Sequence, residues 1–179
     1  MLASADNHWV NTRDRNNPAR LDKARAILAA VPYGAVSTCS PEGLPWVSPV
    51  FFTYDAGWNV YWSSAIAAQH SQNLMQNQGR CAIAIYATEA AEGKGQGIYL
   101  AGTAGILEEG AVPTVMANLF NRSGSWPDRI AEDYLGESPR RIYHFRPQRV
   151  WITGDRLPHG RQLIDTKVEL DLDALRSLS

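Results

Sequence analysis

Excess charge of either sign is the first thing this sequence lacks: 17 basic and 18 acidic residues leave a net charge of −1 over 179 residues. A balanced chain has no global field to draw it to nucleic acid or an anionic membrane, so neither is expected as a partner. Cysteine is scarce, with Cys39 and Cys81 each inside a strand-like run. Both are expected to be reduced and to behave as small apolar side chains. The start of the chain, Met1 to Val10, has neither the basic opening nor the apolar run of a signal peptide. No stretch approaches the length of a membrane span. His8, His70, His144 and His159 show no metal-ligand spacing, so no metal is expected. Gly-x-Ser-x-Gly and Cys/His nucleophile patterns are missing as well. These absences point to a single cytoplasmic domain, long enough to bury a core unaided.

What is present reads as short strands interrupted by helices. Residues 1–17 read as an irregular N-terminal arm and 18–179 as one domain. Asn17 and Pro18 offer a cap and a first-turn proline. Leu21, Ala24, Ile27, Leu28 and Val31 then recur at helical spacing, so a helix is expected over 18–31. Ala35–Cys39, Leu44–Tyr54 and Trp58–Trp62 read as strands, separated by turns at 40–43 and 55–57. A helix is expected from about Ala65 to Gln76. Arg80–Thr88 and Ile98–Leu107 read as antiparallel partners, followed by helical segments around Val112–Phe120 and Ile130–Leu135. Arg141–Phe145 and Arg149–Thr153 resume strands around Pro147, and an extended tail from Leu163 to Leu170 leads to a short helix over 171–178. Some six or seven strands, mostly hairpin-connected, define an α+β class: an antiparallel barrel-like sheet with peripheral helices.

Chemistry concentrates where the strand ending near Trp62 runs into a helix. Ser63, Ser64, Gln69, His70 and Ser71 surround that junction, and the residues from Ala65 to Ala68 are small. The first turn of a helix has unpaired N–H groups and a positive dipole end, so the junction suits a phosphate. The same residues also read as an ordinary cap and a solvated helix face. No Lys or Arg lies between Trp62 and Gly79, so a phosphate's charge would be met by the helix end, by His70, or by a residue from elsewhere. Were His70 to meet it as imidazolium, its pKa would rise in the complex. The affinity would then fade as pH rose above the free value of about 6.5. A second feature is the strand from Leu44 to Tyr54, which Pro45 and Pro49 confine to a sheet edge. There the strand's backbone would be free to meet a planar ring; equally, proline there guards an edge against aggregation. The loop Gly93–Gly97 has no Walker spacing and reads as a hairpin connection.

The ordered set Gly43-x-Pro45-x-Val47-Ser48-Pro49-Val50-Phe51, Trp62-Ser63-Ser64, His70-Ser71-x-Asn73-Leu74, Tyr99 to Ala104 and Tyr143-x-Phe145-x-Pro147-x-x-Val150-Trp151 resembles the pyridoxamine 5′-phosphate oxidase-like FMN-binding split-barrel family. The resemblance spans roughly residues 20 to 155. It implies a split β-barrel homodimer with FMN at the subunit interface. Trp46 to Val50 would line the isoalloxazine through backbone contacts, and Ser63, Ser64, Gln69, His70 and Ser71 would hold the phosphate. Gln96 would contact the ring, and Trp151 would pack near it from the second subunit. Two departures matter. Gln69-His70 stands where the family usually has an Arg-Lys pair, and Arg156-Leu157-Pro158-His159-Gly160-Arg161 replaces the oxidase's substrate segment, Arg-Leu-His-Asp-Arg.

The expected function is therefore that of an FMN-dependent oxidoreductase acting on a small or planar molecule, with the flavin supplying the electron chemistry. The alternatives are a non-enzymatic flavin- or haem-binding protein, with His70 or His144 as axial ligand, and a deazaflavin-dependent reductase.

Overall fold

The computed structural model describes residues 6, 9–123 and 129–177. The rest of the N-terminal arm, the side chain of Phe120 and the end of the last expected helix, Leu178, lie outside the described residues.

Hairpin by hairpin, the strands close a ring. β2 (Tyr33–Cys39) pairs antiparallel with β3 (Pro45–Phe51), and the same chain continues through Phe52 into β4 (Thr53–Tyr54), which pairs with β5 (Val60–Ala65). β5 pairs with the first half of β8 (Arg140–Thr153). β8 pairs with β7 (Gly97–Ile106), β7 with β6 (Arg80–Tyr86), and β6 returns to β2. Six antiparallel lanes thus enclose a barrel. It is split beside β3, which among the described strands pairs with β2 alone. Alternation along the strands fills the interior with Val36, Val50, Phe52, Val60, Trp62, Ile83, Ile85, Leu100, Tyr143, Phe145 and Val150.

β8 is one 14-residue strand where the sequence suggests two. Its pairing with β7 shifts register between Ala101↔Arg149 and Gly102↔Pro147, leaving Gln148 as an extra residue. Proline has no N–H to give the ladder, so the irregularity falls where the ladder loses least. The strand bends there and changes neighbours, from β5 over Arg140–Phe145 to β11 (Lys167–Leu170) over Val150–Thr153. β1 (Val10–Asn11) adds to β11 in parallel, tying this part of the N-terminal segment to the sheet.

Helix α1 (Pro18–Ala30) starts as its sequence suggests, with the Asn17 side chain accepting from the Arg20 N–H and proline in the first turn. Its face of Leu21, Ala24 and Leu28 joins the barrel core. The helix after β5 begins later than expected. β8 holds Ser63–Ala65 extended, and the Ile66 N–H donates to the Pro139 carbonyl, so α2 spans only Gln69–Gln76. α3 (Val112–Ser123) and a 3-10 turn at Ala131–Tyr134 cover the outer face of β5 and β8 through Tyr61, Ile142, Val115 and Tyr134. Past β8, the segment Arg156–Arg161 turns at Gly160 into a hairpin of β9 (Leu157–His159) and β10 (Gln162–Ile164), and α4 (Leu172–Ser177) closes the described chain. No described helix is long and apolar enough to cross a membrane.

Cys39 and Cys81 are free thiols. Thr38 and Cys81 face the barrel interior while Cys39 is exposed on the other face, so the two are not placed to bridge.

Candidate functional site

The site gathers where the barrel is split. β3 contributes an uncovered edge: Trp46 and Val47 are 49% and 62% exposed, on opposite faces of the strand. Trp46 and Ser48 share the inner face, and the Trp46 indole N–H donates to the Ser48 hydroxyl at 3.0 Å. His70, on the first turn of α2, brings Nδ1 to 3.1 Å from the same hydroxyl. With Ser48 Oγ already accepting from the indole, its own proton is best placed on Nδ1, which puts the ring proton on Nε2. That atom is buried without a partner. Burial pushes the His70 pKa below its ordinary value, so the ring is neutral at pH 7. The imidazolium considered for the phosphate is therefore not the form of His70 in the free protein.

α2 is held in place by amides. Asn73 donates to Thr38 at 3.0 Å and Gln69 to Asn73 at 2.8 Å. Asn77 donates to the carbonyls of Cys39 and Arg80. Its N-cap residue is Ala68, so no side chain caps the first turn, and the leading N–H groups stay available to an acceptor. Ser64 is not the cap; it lies on β5, buried, in register with Arg141. Ser71 is fully buried, its hydroxyl close to that of Tyr143, and neither hydroxyl has another partner. Burial raises the Tyr143 pKa, while the nearby Ser71 hydroxyl and Arg141 charge oppose that rise.

Basic residues reach this end of the barrel by strand pairing. Arg140 sits opposite Ala65 and Arg141 opposite Ser64. Arg141 is occupied by the carbonyls of Gly136, Ser138 and Arg140. Arg140 donates from one terminal nitrogen to Ser63 Oγ at 3.3 Å, and its Nε is buried without a partner. Neither arginine was identified as a site residue from sequence. The available signal was the Arg140-Arg141 pair opening an apolar strand, but its relevance depends on a register that only the fold supplies.

Trp46, Val47, Ser48, Ser63, Ser64, Gln69, His70 and Ser71 thus lie toward one end of the barrel, while Pro49 and Val50 run on along β3 opposite Ala35 and Gly34. Gln96 and Trp151 lie elsewhere. Trp151 is in register with Tyr99, and Ser63 with Ile142; nine residues of β8 separate the two positions, at most about 30 Å at ~3.3 Å per residue because the strand bends between them. Gln96 lines a separate pocket of about 510 Å³ with Tyr99, Thr153, Arg156 and Lys167. In that pocket Arg156 is paired with Asp165 at 2.7 Å, and Lys167 lies over the Tyr99 ring at 4.4 Å. Among the described residues no group of three or more His, Cys, Asp or Glu is placed to hold a metal.

A ring of antiparallel strands open at one edge, with an uncapped helix start at the opening, is a split β-barrel. The pyridoxamine 5′-phosphate oxidase family profile matches residues 21–154, and the chain belongs to that family. No curated protein matches it. Among solved structures, a haem-binding protein from Mycobacterium smegmatis is 24% identical with a TM-score of 0.64, over 90% of this chain and 61% of that one. A protein of unknown function from Agrobacterium tumefaciens is 20% identical with a TM-score of 0.66, over 82% and 61%. An F420 reductase is 18% identical with a TM-score of 0.55, over 70% and 94%. The chain therefore spans about three-fifths of the first two proteins, and the likeness at these identities is one of fold.

Proposed function

We propose that this protein is an FMN-dependent oxidoreductase whose cofactor sits at the split, with the phosphate on the β5–α2 turn and the ring along β3. The observation that carries the reading is the uncapped first turn of α2, where His70 Nε2 is buried without a partner, following a β5 end at which the Nε of Arg140 is also buried without one. Donors without acceptors fit an anion. Ser63, Ser64, Gln69, His70 and Ser71 would hold the phosphate, and the backbone of Trp46 to Val50 would flank the isoalloxazine. Bound FMN would supply the electron transfer, while the protein orients it and excludes water.

The active unit in this reading is a homodimer. Trp151 on β8 is separated from the ring's strand, β3, by β7, β6 and β2, so in this reading a second copy would bring it and Gln96 to the flavin. A suitable surface exists: Tyr33, Val47 and Tyr86 are exposed on the outer face of β2, β3 and β6, around Ala35, Ala82 and Ala84. Covering such an apolar face is what favours association. The substrate would be a small or planar molecule entering beside the ring. Because Arg156 is already paired with Asp165, the oxidase's own substrate is disfavoured.

Haem binding is the second reading, favoured by the likeness to the M. smegmatis protein. Its axial ligand would have to be His70 or His144, whose Nε2 atoms are both enclosed. The test is anaerobic reduction of FMN-loaded protein by NADH or NADPH. Bleaching of the flavin bands, reversed by an added acceptor, is the expected result. A flavin that stays bound but unreduced by either nucleotide and by a panel of small reductants would make the protein a carrier. A Soret shift on haem titration, with FMN refused, would favour the second reading.

A further inference from the structure

Gln69-His70 opens α2, and no Lys or Arg lies between Trp62 and Gly79 along the chain. We infer that Arg140, reaching across from β8, is the cation that selects a phosphorylated flavin, by its charge and by orienting the Ser63 hydroxyl. The inference rests on the flavin reading given above.

Three observations support it. First, the β5–β8 register sets Arg140 against the last residue of β5, immediately before the turn into α2. Second, the two other candidates near the turn are committed elsewhere. His70 is neutral and shares its Nδ1 with Ser48, and the Arg141 guanidinium is spent on the carbonyls of Gly136, Ser138 and Arg140. Third, Arg140 itself is under-used. Among the described residues it has no carboxylate partner, it donates once, to Ser63, and its Nε is enclosed with nothing to bond. A guanidinium has five N–H donors in a planar fork suited to phosphate oxygens, so most of its capacity is open.

The Arg140–Ser63 contact also fixes what the serine can do. A hydroxyl has one proton and two lone pairs. When Ser63 Oγ accepts from Arg140, its proton is turned away from the guanidinium and is free to donate to an anion. Arg140 therefore acts as a positioning residue as well as a charge. The backbone of Trp46 to Val50, along the ring that riboflavin and FMN share, would hold both alike, while the groups at the phosphate, and Arg140 above all by its charge, would discriminate between them.

The experiment measures FMN and riboflavin affinities side by side, by quenching of flavin fluorescence, for the wild type, Arg140→Gln, Arg140→Lys, Ser63→Ala and the double variant Arg140→Gln/Ser63→Ala. The wild type is expected to prefer FMN. In Arg140→Gln the FMN affinity should fall roughly ten- to hundred-fold, the loss of a charged hydrogen bond, with riboflavin binding unchanged and the salt dependence of FMN binding flattened. Arg140→Lys should recover part of the preference. Ser63→Ala should lose less than Arg140→Gln, and the two losses should not add. If Arg140→Gln does not fold, the lysine and alanine variants carry the test: full FMN preference in both would overturn the inference. Equal FMN preference in the wild type and a folded Arg140→Gln would also overturn it, leaving the flavin pocket standing. A wild type that binds neither flavin would overturn the flavin reading and this inference with it.

Discussion

Arg122 of α3 reaches across to the end of α1, and its removal gives the sharpest structural prediction. Helix α1 ends without a basic residue in its last turn, so nothing local complements its carbonyl end. One terminal nitrogen of Arg122 donates to the carbonyls of Leu28 and Val31 at 2.7 Å each and to that of Ala29 at 3.3 Å. The guanidinium also lies over the rings of Phe52 at 4.4 Å and Tyr54 at 4.9 Å. A single amino group has two hydrogens, so this is two full bonds and one shared. Two charged hydrogen bonds would contribute roughly 3–6 kcal/mol. Part is offset, because burial lowers the Arg122 pKa and its other terminal nitrogen is buried without a partner. We therefore expect Arg122→Met, which keeps the stem but strands the carbonyls, to cost about 2–3 kcal/mol. That is a fall in Tm of roughly 5–10 °C for a chain of this size. Urea unfolding followed by tryptophan fluorescence measures it, with the m-value unchanged. A loss below about 0.5 kcal/mol, the range of an ordinary surface substitution, would refute the clamp.

Further outcomes follow from burial and close approach. Burial lowers the pKa of His70 and of His144, the latter helped by Arg146 and opposed by Asp55 and Glu108. The unfolded chain then binds more protons than the native one, so stability is complete above about pH 6.5 and falls as pH drops through the lowered native values. A Tm flat between about pH 7.5 and 5.5 would contradict this. Burial pushes the Cys81 thiol up to about 12, whereas Cys39 is exposed. A disulfide reagent should therefore label Cys39 in the native protein and Cys81 only after denaturation; two fast-reacting thiols would count against it. A Cβ on Gly102 would collide with the Arg146 carbonyl and press on the Phe145 ring. Gly102→Ala should accordingly unfold the protein or lower its stability by more than about 3 kcal/mol, and a wild-type melting curve would show that the β7–β8 bulge yields.

The barrel was legible because its strands are short, alternating and joined by turns whose residues announce them, as at Ser40–Gly43. Helix α1 was legible through Asn17 and Pro18. Long-range pairing was not. The α2 start moved from Ala65 to Gln69 because β8, some 75 residues away, holds Ser63–Ala65 extended, and helix propensity yields to a ladder of that kind. Trp58 looked like the first residue of a strand. It is instead a buried turn residue with φ of 63°, its N–H donating back to the Asp55 carbonyl, and aromatic composition alone does not reveal that conformation. At the site, residue types and their order brought Ser48 and His70 under suspicion separately. Their 3.1 Å contact, the neutral charge of the imidazole and the arrival of Arg140 are consequences of packing, which no spacing along the chain encodes.

The central claim is a flavin pocket at the split, and the visible spectrum of the concentrated protein after incubation with FMN and desalting tests it most directly. A two-banded flavin spectrum that stays with the protein at close to one FMN per chain is the expected result. A colourless protein after desalting, at concentrations well above micromolar, would contradict the claim and leave the barrel without its proposed cofactor.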